Sequence, residues 1–215
     1  MKYLTILTVL LLLGTPLSAG SVYQVVLNTT PLMVSPSAPF SLQFELIDGS
    51  GLGDRNNIAT LSNFQFAGGA AVAGSTSTTG TVIGDLGSAV TLLDNGFFTV
   101  FQQRFTPGNS LSFILNLTTN VDAGGVPDLF SFAILDKGGI EIPTTSVDGA
   151  LLEINIDSSH PTPLVFGSDP NTPASGGDLL NLAAPLIAPE PGSIVLVLSA
   201  LAGAGLWYRR SRKSV

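Results

Sequence analysis

Acidic and amide side chains crowd one short glycine-rich stretch, and they are the residues of this chain best suited to chemistry. Asp48, Asp54 and Asn56 flank the run Gly49-Ser50-Gly51-Leu52-Gly53. Carboxylate and amide oxygens are the ligands that Ca²⁺ prefers, so we predict a calcium site at Asp48, Asp54 and Asn56. The spacing is not that of an EF-hand, because no glutamate follows at the required distance. Aspartate, asparagine and glycine are also common turn residues, so an ordinary turn is the alternative.

A second, weaker candidate set of carboxylates consists of Asp122, Asp128 and Asp136. Paired carboxylates could also serve a secreted carbohydrate-active enzyme, which needs two of them about 5–9.5 Å apart. The chain has fifteen acidic residues, and that many carboxylates on turns would form chance pairs in any fold. The sequence therefore singles out no catalytic pair.

Other catalytic chemistries lack the residues that they require. The absence of cysteine excludes disulfides, thiolate zinc sites and a cysteine nucleophile. The single histidine, His160, cannot build a Ser-His-Asp triad or a multi-histidine metal site. Gly51-Leu52-Gly53 lacks the Lys-Ser/Thr pair of a phosphate-binding loop. We expect a non-catalytic protein without a cofactor, calcium being the one candidate.

The elements that position these residues are predicted by alternation of apolar and polar side chains. Such period-two alternation is typical of strands with one buried face. Turn signals such as Asp48-Gly49, Asn95-Gly96 and Asp148-Gly149 separate the alternating segments. The nine segments are 22–27, 40–46, 58–66, 81–83, 89–93, 97–105, 111–117, 130–134 and 152–156.

These segments predict an all-β fold, an antiparallel β-sandwich of about nine strands spanning residues 21–157. The small-residue stretch Gly68–Gly80 is either a loop or a weak edge strand. Residues 158–188 contain five prolines and little periodicity, and we predict a proline- and glycine-rich stalk there.

The N-terminal end has the layout of a secretory signal peptide over residues 1–20. Lys2 precedes the apolar run Leu4–Leu13, and small residues follow Pro16. The apolar run is too short to span a bilayer, so we predict export with removal of this segment.

The C-terminal end predicts a single transmembrane helix. Gly192–Tyr208 is a run of 17 residues without charge, or about 25 Å as a helix. Trp207 and Tyr208 suit the membrane interface. Under the positive-inside rule, the basic cluster that follows stays in the cytoplasm and the preceding residues lie outside. The basic cluster is Arg209, Arg210, Arg212 and Lys213.

The sequence Pro189-Glu190-Pro191 stands directly before this helix. Together with the helix and the basic cluster, it resembles the PEP-CTERM sorting signal over residues 189–213. The resemblance implies recognition and processing by an exosortase-like membrane enzyme of Gram-negative bacteria. The residues that it implies are Pro189, Glu190, Pro191, Arg209 and Arg210.

The resemblance also implies a route. The protein would first be an inner-membrane-anchored intermediate facing the periplasm, and then a component of the cell surface or extracellular matrix. Extracellular polysaccharide is the partner implied there. The alternative is an ordinary bitopic membrane protein that keeps its C-terminal helix.

The net charge and the aromatic content of the central region disfavour some classes of partner. Residues 21–190 contain three basic residues and all fifteen acidic residues, a net charge of −12. This balance argues against nucleic acid as a partner. Tyr23 is the only Tyr or Trp in residues 21–190, which disfavours an aromatic platform for sugar rings. A non-catalytic exported surface or matrix protein is the leading hypothesis, with a calcium-dependent adhesin or matrix cross-linker as the alternative.

Overall fold

Two antiparallel sheets pack face to face in the computed structural model, which describes residues 20–50, 53–122, 124–167 and 186–188. Thirteen strands lie in these residues, together with a short 3-10 helix at Thr30–Val34. The strands are β1 (Gly20–Asn28), β2 (Phe40–Ile47), β3 (Ile58–Ala67), β4 (Ala70–Ala71), β5 (Ser77–Thr79), β6 (Thr81–Gly84), β7 (Ala89–Leu93), β8 (Phe98–Thr106), β9 (Ser110–Thr118), β10 (Leu129–Leu135), β11 (Leu152–Asn155), β12 (Leu164–Val165) and β13 (Leu186–Ala188).

The first sheet has the order β13-β1-β9-β3-β7-β6, and the second has the order β12-β11-β10-β2-β8-β4, with β5 also pairing with β8. Every pairing in both sheets is antiparallel. The predicted all-β antiparallel fold is therefore confirmed. The strands beyond the nine predicted ones are short additions to sheet edges, of two or three residues each.

The core forms where the apolar faces of the two sheets meet. Phe44 on β2 lies at its centre, with its ring centroid 5.1 Å from that of Phe132 within the second sheet. Across the core, the Phe44 ring is 5.4 Å from Phe113 on β9 of the first sheet. Phe44, Phe113 and Phe132 are all buried. These contacts join the sheets through aromatic packing, which accounts for phenylalanine being the main aromatic residue of the region.

A β-bulge in β3 keeps apolar residues directed into the core. The register with β9 shifts between Ser62 and Gln65, and Asn63 has φ 55°. Asparagine adopts this left-handed conformation more readily than most residues. The extra residue changes the alternation, so that Leu61 before the bulge and Phe64 after it both pack inward.

The segments predicted as loop and stalk contribute strands to the sheets. Residues 70–71 and 77–79 pair with β8, which is the edge-strand alternative for Gly68–Gly80. Within residues 158–188, β12 pairs with β11 and β13 pairs with β1. Extended chain with free backbone groups can add to an exposed sheet edge even where prolines exclude regular alternation.

No helix within the described ranges is long and apolar enough to cross a membrane. The predicted span at 192–208 lies outside the described residues, as do residues 1–19 of the predicted signal peptide and the predicted sorting signal at 189–213. Residues 20–188 form one compact unit.

Candidate metal centre

Three connections cross from one sheet to the other at the same end of the sandwich. They are the β2–β3, β7–β8 and β9–β10 connections. Each places one aspartate at the very end of a strand: Asp48 directly follows β2, Asp94 directly follows β7, and Asp128 directly precedes β10. In each strand the aspartate continues the inward-facing alternation, as Leu92 and Asp94 illustrate. The three carboxylates therefore face the end of the core.

The structure brings these three carboxylates together. One carboxylate oxygen from each of Asp48, Asp94 and Asp128 lies within 4.8 Å of the other two. The residues are only 1%, 2% and 2% exposed, respectively. Both carboxylate oxygens of Asp94 and Oδ1 of Asp48 are buried without a hydrogen-bond partner. Buried polar atoms are almost always paired, so the three clustered carboxylates with unpaired oxygens form a candidate cation site.

Backbone and amide donors hold two of the carboxylates in place. The backbone N–H of Gly49 donates to Asp128 Oδ1 at 2.8 Å, and Asn57 Nδ2 donates to Asp128 Oδ2 at 2.7 Å. The backbone N–H of Gly53 donates to Asp48 Oδ2. Each of these oxygens keeps a second lone pair, so the donors orient the carboxylates without using their full capacity as ligands.

Asn57 and Gly49 are the residues that shape the surrounding loops. Asn57 is fully buried, and its Oδ1 accepts hydrogen bonds from the Asn120 backbone N–H at 2.9 Å and from Thr118 Oγ1 at 3.1 Å. Asn57 thereby ties the β2–β3 connection to the β9–β10 connection. A Cβ at Gly49 would collide with the backbone carbonyl oxygens of Val126 and Pro127, so only glycine fits there.

The centre brings three like charges together in a buried site. Burial, followed by the negative charges of Asp128 and Asp48, raises the pKa of Asp94 to about 7. Across residues 20–50, 53–122 and 124–167, no basic side chain forms an ion pair with the three carboxylates. A divalent cation would supply the missing countercharge and favour the ionised form of all three.

The residues predicted from sequence are divided between this centre and an adjoining polar network. Of the predicted calcium ligands, Asp48 lies in the centre, whereas Asp54 is exposed beside it. Asn56 Nδ2 donates to Asp54 Oδ2 at 2.9 Å and to Asp122 Oδ1 at 2.5 Å. Burial, followed by the charge of Asp128, raises the pKa of Asp122. Asp54 is the exposed member of this network, and Asn56 and Asp122 are half-buried.

The second candidate set of carboxylates, Asp122, Asp128 and Asp136, is also divided between different places in the structure. Asp128 is a member of the centre and Asp122 belongs to the adjoining network. Asp136 lies in the turn after β10, where its Oδ1 accepts hydrogen bonds from the backbone N–H groups of Gly138 at 2.7 Å and Ile140 at 3.1 Å. That role is an Asx turn, the ordinary structural use of aspartate.

Asp94 is the member of the centre that the sequence reasoning missed. It stands directly before the turn signal Asn95-Gly96, and an aspartate beside a turn is ordinarily a turn residue, which hides any other role. The position of Asp94 in the alternation of β7 is the sequence feature that could have identified it, because Asp94 occupies the next inward position after Val90 and Leu92. A charged residue at a position that alternation assigns to the core needs a partner.

A second group of carboxylates lies in an open groove on the outer face of the second sheet. Gln43 Nε2 donates to Glu45 Oε1 at 2.8 Å and to Glu141 Oε1 at 3.5 Å. Burial, followed by the charge of Glu141, raises the pKa of Glu45. Unlike those of the three-aspartate centre, these carboxylates share an amide donor, which accounts for their proximity without a ligand.

Comparisons of the chain with protein-family models, with curated proteins and with solved structures each return no significant match.

Proposed function

We propose that this protein is an exported, non-catalytic β-sandwich in which Ca²⁺ binds Asp48, Asp94 and Asp128 and joins the two sheets at one end. The observation that carries the proposal is the convergence of three buried carboxylates whose oxygens are in part unpaired. Since all three sheet-crossing connections at this end contribute a ligand, one cation would restrain all of them together.

The donor set favours calcium over other metals. Ca²⁺ binds six to eight oxygen ligands at about 2.4 Å, so two ligands of one ion are at most about 4.8 Å apart. The three carboxylate oxygens meet this limit. They offer only hard oxygen donors, whereas zinc and copper favour nitrogen or sulfur. Mg²⁺ requires shorter distances and a stricter octahedron, which makes it the weaker competitor.

Burial of the three ligands indicates a structural role for the ion. Each ligand is at most 2% exposed, so a bound ion would have little contact with an external ligand. The bound ion would then stabilise the fold of an adhesin or matrix protein. It would not form a direct bridge to polysaccharide.

Calorimetric titration of the full chain, in mild detergent, tests the calcium site. We expect calcium to bind with one site per chain, and Mg²⁺ to bind at least tenfold more weakly. Asp94→Asn should abolish the heat, whereas Asp136→Asn, which alters a carboxylate in a distant turn, should bind as the unaltered chain does. Absence of calcium heat in the unaltered, folded chain would refute the site.

Export and surface delivery are carried by the sequence segments at the two ends. We propose that the exported protein is sorted through Pro189-Glu190-Pro191, the apolar helix and Arg209-Arg210 by an exosortase-like enzyme. The proposed destination is the cell surface or the polysaccharide matrix. The acidic balance of residues 21–190 would keep the released domain soluble through self-repulsion.

Mass spectrometry of the protein from cell and matrix fractions tests the sorting proposal. We expect a new C-terminus near Glu190 in the matrix fraction and the intact chain only in membranes. Intact Arg209–Val215 in the matrix fraction would count decisively against processing. The calcium titration is independent of this result, so the two parts of the proposal can fail separately.

A further inference from the structure

The outer face of the first sheet is uncharged. This neutral face consists of the outward residues of β1, β9, β3, β7 and β6, and none of these five strands contains Asp, Glu, Lys, Arg or His. The second sheet differs, because Glu45, Arg104 and Glu153 lie on its strands. In a region with a net charge of −12, the charge is therefore carried by the loops and the second sheet.

The strand register aligns neutral side chains in rows across these five strands. The central row is Val22, Asn116, Thr60, Thr91 and Ile83. Thr60 and Thr91 are close enough for their hydroxyl groups to share a hydrogen bond at 3.4 Å. Ile83 at the end of the row is 62% exposed. All five side chains of this row are neutral, and all except Asn116 are β-branched, so the row forms a surface against which another sheet can pack.

We propose that the neutral face is a self-association surface, occupied by the same face of a second copy of this chain. The 21–190 regions of two copies carry a net charge of −12 each and repel one another, and burying a charge between them would add a large desolvation penalty. Contact through the neutral face places no like charges opposite each other and buries no ionised group. Of the two outer sheet faces, this one allows two such domains to associate at the lower electrostatic cost.

The size of the face meets the requirement of a specific dimer. Five strands spaced about 4.8 Å apart and about nine residues long cover roughly 24 Å by 30 Å. Because β6 and β7 are short, the usable area is about 600 Å² per copy, or about 1,200 Å² in total. This value lies at the lower end of specific interfaces, so we expect reversible association with a Kd in the micromolar range.

Side-chain chemistry favours a second copy over a polysaccharide chain. Protein surfaces that hold sugar rings commonly stack them on exposed aromatic side chains. In the five strands the aromatic residues Tyr23, Phe64, Phe66 and Phe113 pack into or against the core. A twofold axis through the middle of the face would bring Thr60 of one copy opposite Thr60 of the other.

The cysteine-free chain permits a direct test by cross-linking. Thr60→Cys is introduced into the full chain in mild detergent and treated with a bismaleimide whose reach is about 10 Å, the spacing of packed sheets. Thr106→Cys, on the second sheet, is the matched control. We expect a covalent dimer from Thr60→Cys, in a yield that rises with protein concentration, and at least fivefold less from Thr106→Cys. If Thr60→Cys fails to fold, Asn116→Cys replaces it.

Two isosteric charge variants test the physical reason. Asn116→Asp, added to Thr60→Cys, places a carboxylate in the neutral face and should lower dimer yield at least fivefold. Asn155→Asp, on β11 of the second sheet, adds the same charge elsewhere and should leave the yield unchanged. Moderate salt should increase the yield, because it screens the repulsion between the acidic copies.

Three results would overturn the proposal. Equal dimer yields from Thr60→Cys and Thr106→Cys would indicate random collision. Efficient labelling of Thr60→Cys by a monofunctional maleimide, without any dimer, would show an accessible face that does not self-associate. Protection of the same cysteine by a neutral polysaccharide, again without a dimer, would assign the face to a different partner.

Discussion

Removal of one carboxylate from the three-aspartate cluster should raise stability without calcium and remove the stabilisation that calcium provides. The perturbation is Asp94→Asn, which keeps the shape of the side chain and removes its charge. Asp94 is 2% exposed, and its pKa is raised from 3.8 to about 7, first by burial and then by Asp128 and Asp48. The folded state without calcium therefore prefers the protonated form of Asp94.

The magnitude follows from the linkage between pKa and stability. A tenfold change in acid strength corresponds to about 1.4 kcal/mol, so the raised pKa of Asp94 costs the calcium-free fold about 4 kcal/mol above pH 7. Because the pKa of Asp94 is raised on folding, the contribution of Asp94 to stability is most favourable at low pH and falls as pH rises from 3.8 to about 7. Removing the charge therefore removes this cost, but the buried asparagine amide is imperfectly hydrogen-bonded, which offsets about 2 kcal/mol of the gain in stability. The net expected gain is about 2 kcal/mol at pH 8.

Calcium removes the advantage of the variant, because only the unaltered chain gains stability from the ion. At one hundred times its Kd, a bound ion stabilises the unaltered chain by about 2.7 kcal/mol. For a domain of this size, 1 kcal/mol shifts Tm by about 2–4 °C. At pH 8 without calcium, Asp94→Asn should therefore melt about 4–8 °C higher than the unaltered chain. Adding calcium should raise Tm of the unaltered chain by about 5–11 °C and that of the variant by less than about 2 °C.

Thermal melts of the full chain in EDTA and in calcium provide the assay, with Asp136→Asn as the control that follows the unaltered chain. A lower Tm for Asp94→Asn in EDTA at pH 8 would refute the argument that the empty centre is destabilised by its own charge. An equal calcium-dependent rise in both proteins would place the ion elsewhere.

Three further predictions concern the centre and the core. Below pH 7 the apparent calcium affinity should fall about tenfold per pH unit, because protons compete for Asp94, and titrations at pH 8 and pH 6 would show this. Gly49→Ala should lower stability by at least about 2 kcal/mol in denaturant unfolding, because its Cβ meets the carbonyl oxygens of Val126 and Pro127. Phe44→Ala should cost about 3–5 kcal/mol in the same assay without changing calcium stoichiometry, because Phe44 is buried at the centre of the aromatic core.

Alternation in the sequence was sufficient to predict the main strands, because a sheet buried on one face imposes it directly. The segments 40–46, 111–117 and 152–156 all lie in strands of the structure. The short edge strands at 70–71 and 164–165 could not be predicted in this way, because they pair through backbone groups and bury little side-chain area. Their positions depend on which sheet edges remain open in the folded domain.

The metal centre could be predicted only in part, because its members come from connections that are distant in sequence. Local crowding pointed to Asp48, which lies in the three-aspartate cluster, but it equally pointed to Asp54, which is exposed and lies outside the cluster. The three members differ from Asp54 in that each continues the inward-facing positions of a strand. The inward-facing positions can be predicted from the alternation in the sequence. That β2, β7 and β10 meet at one end can be known only from the strand topology.

The placement of charge connects the metal centre with the neutral face. The region has a net charge of −12, and three of its aspartates are buried where the chain crosses between sheets. Calcium bound there would remove two of these negative charges and lower the repulsion between copies of the domain. Self-association through the uncharged face of the first sheet should therefore strengthen when calcium binds, although the ion lies outside that face. Cross-linking of Thr60→Cys at low salt should accordingly rise with calcium, and Asp94→Asn should remove this calcium dependence while leaving the dimer itself intact.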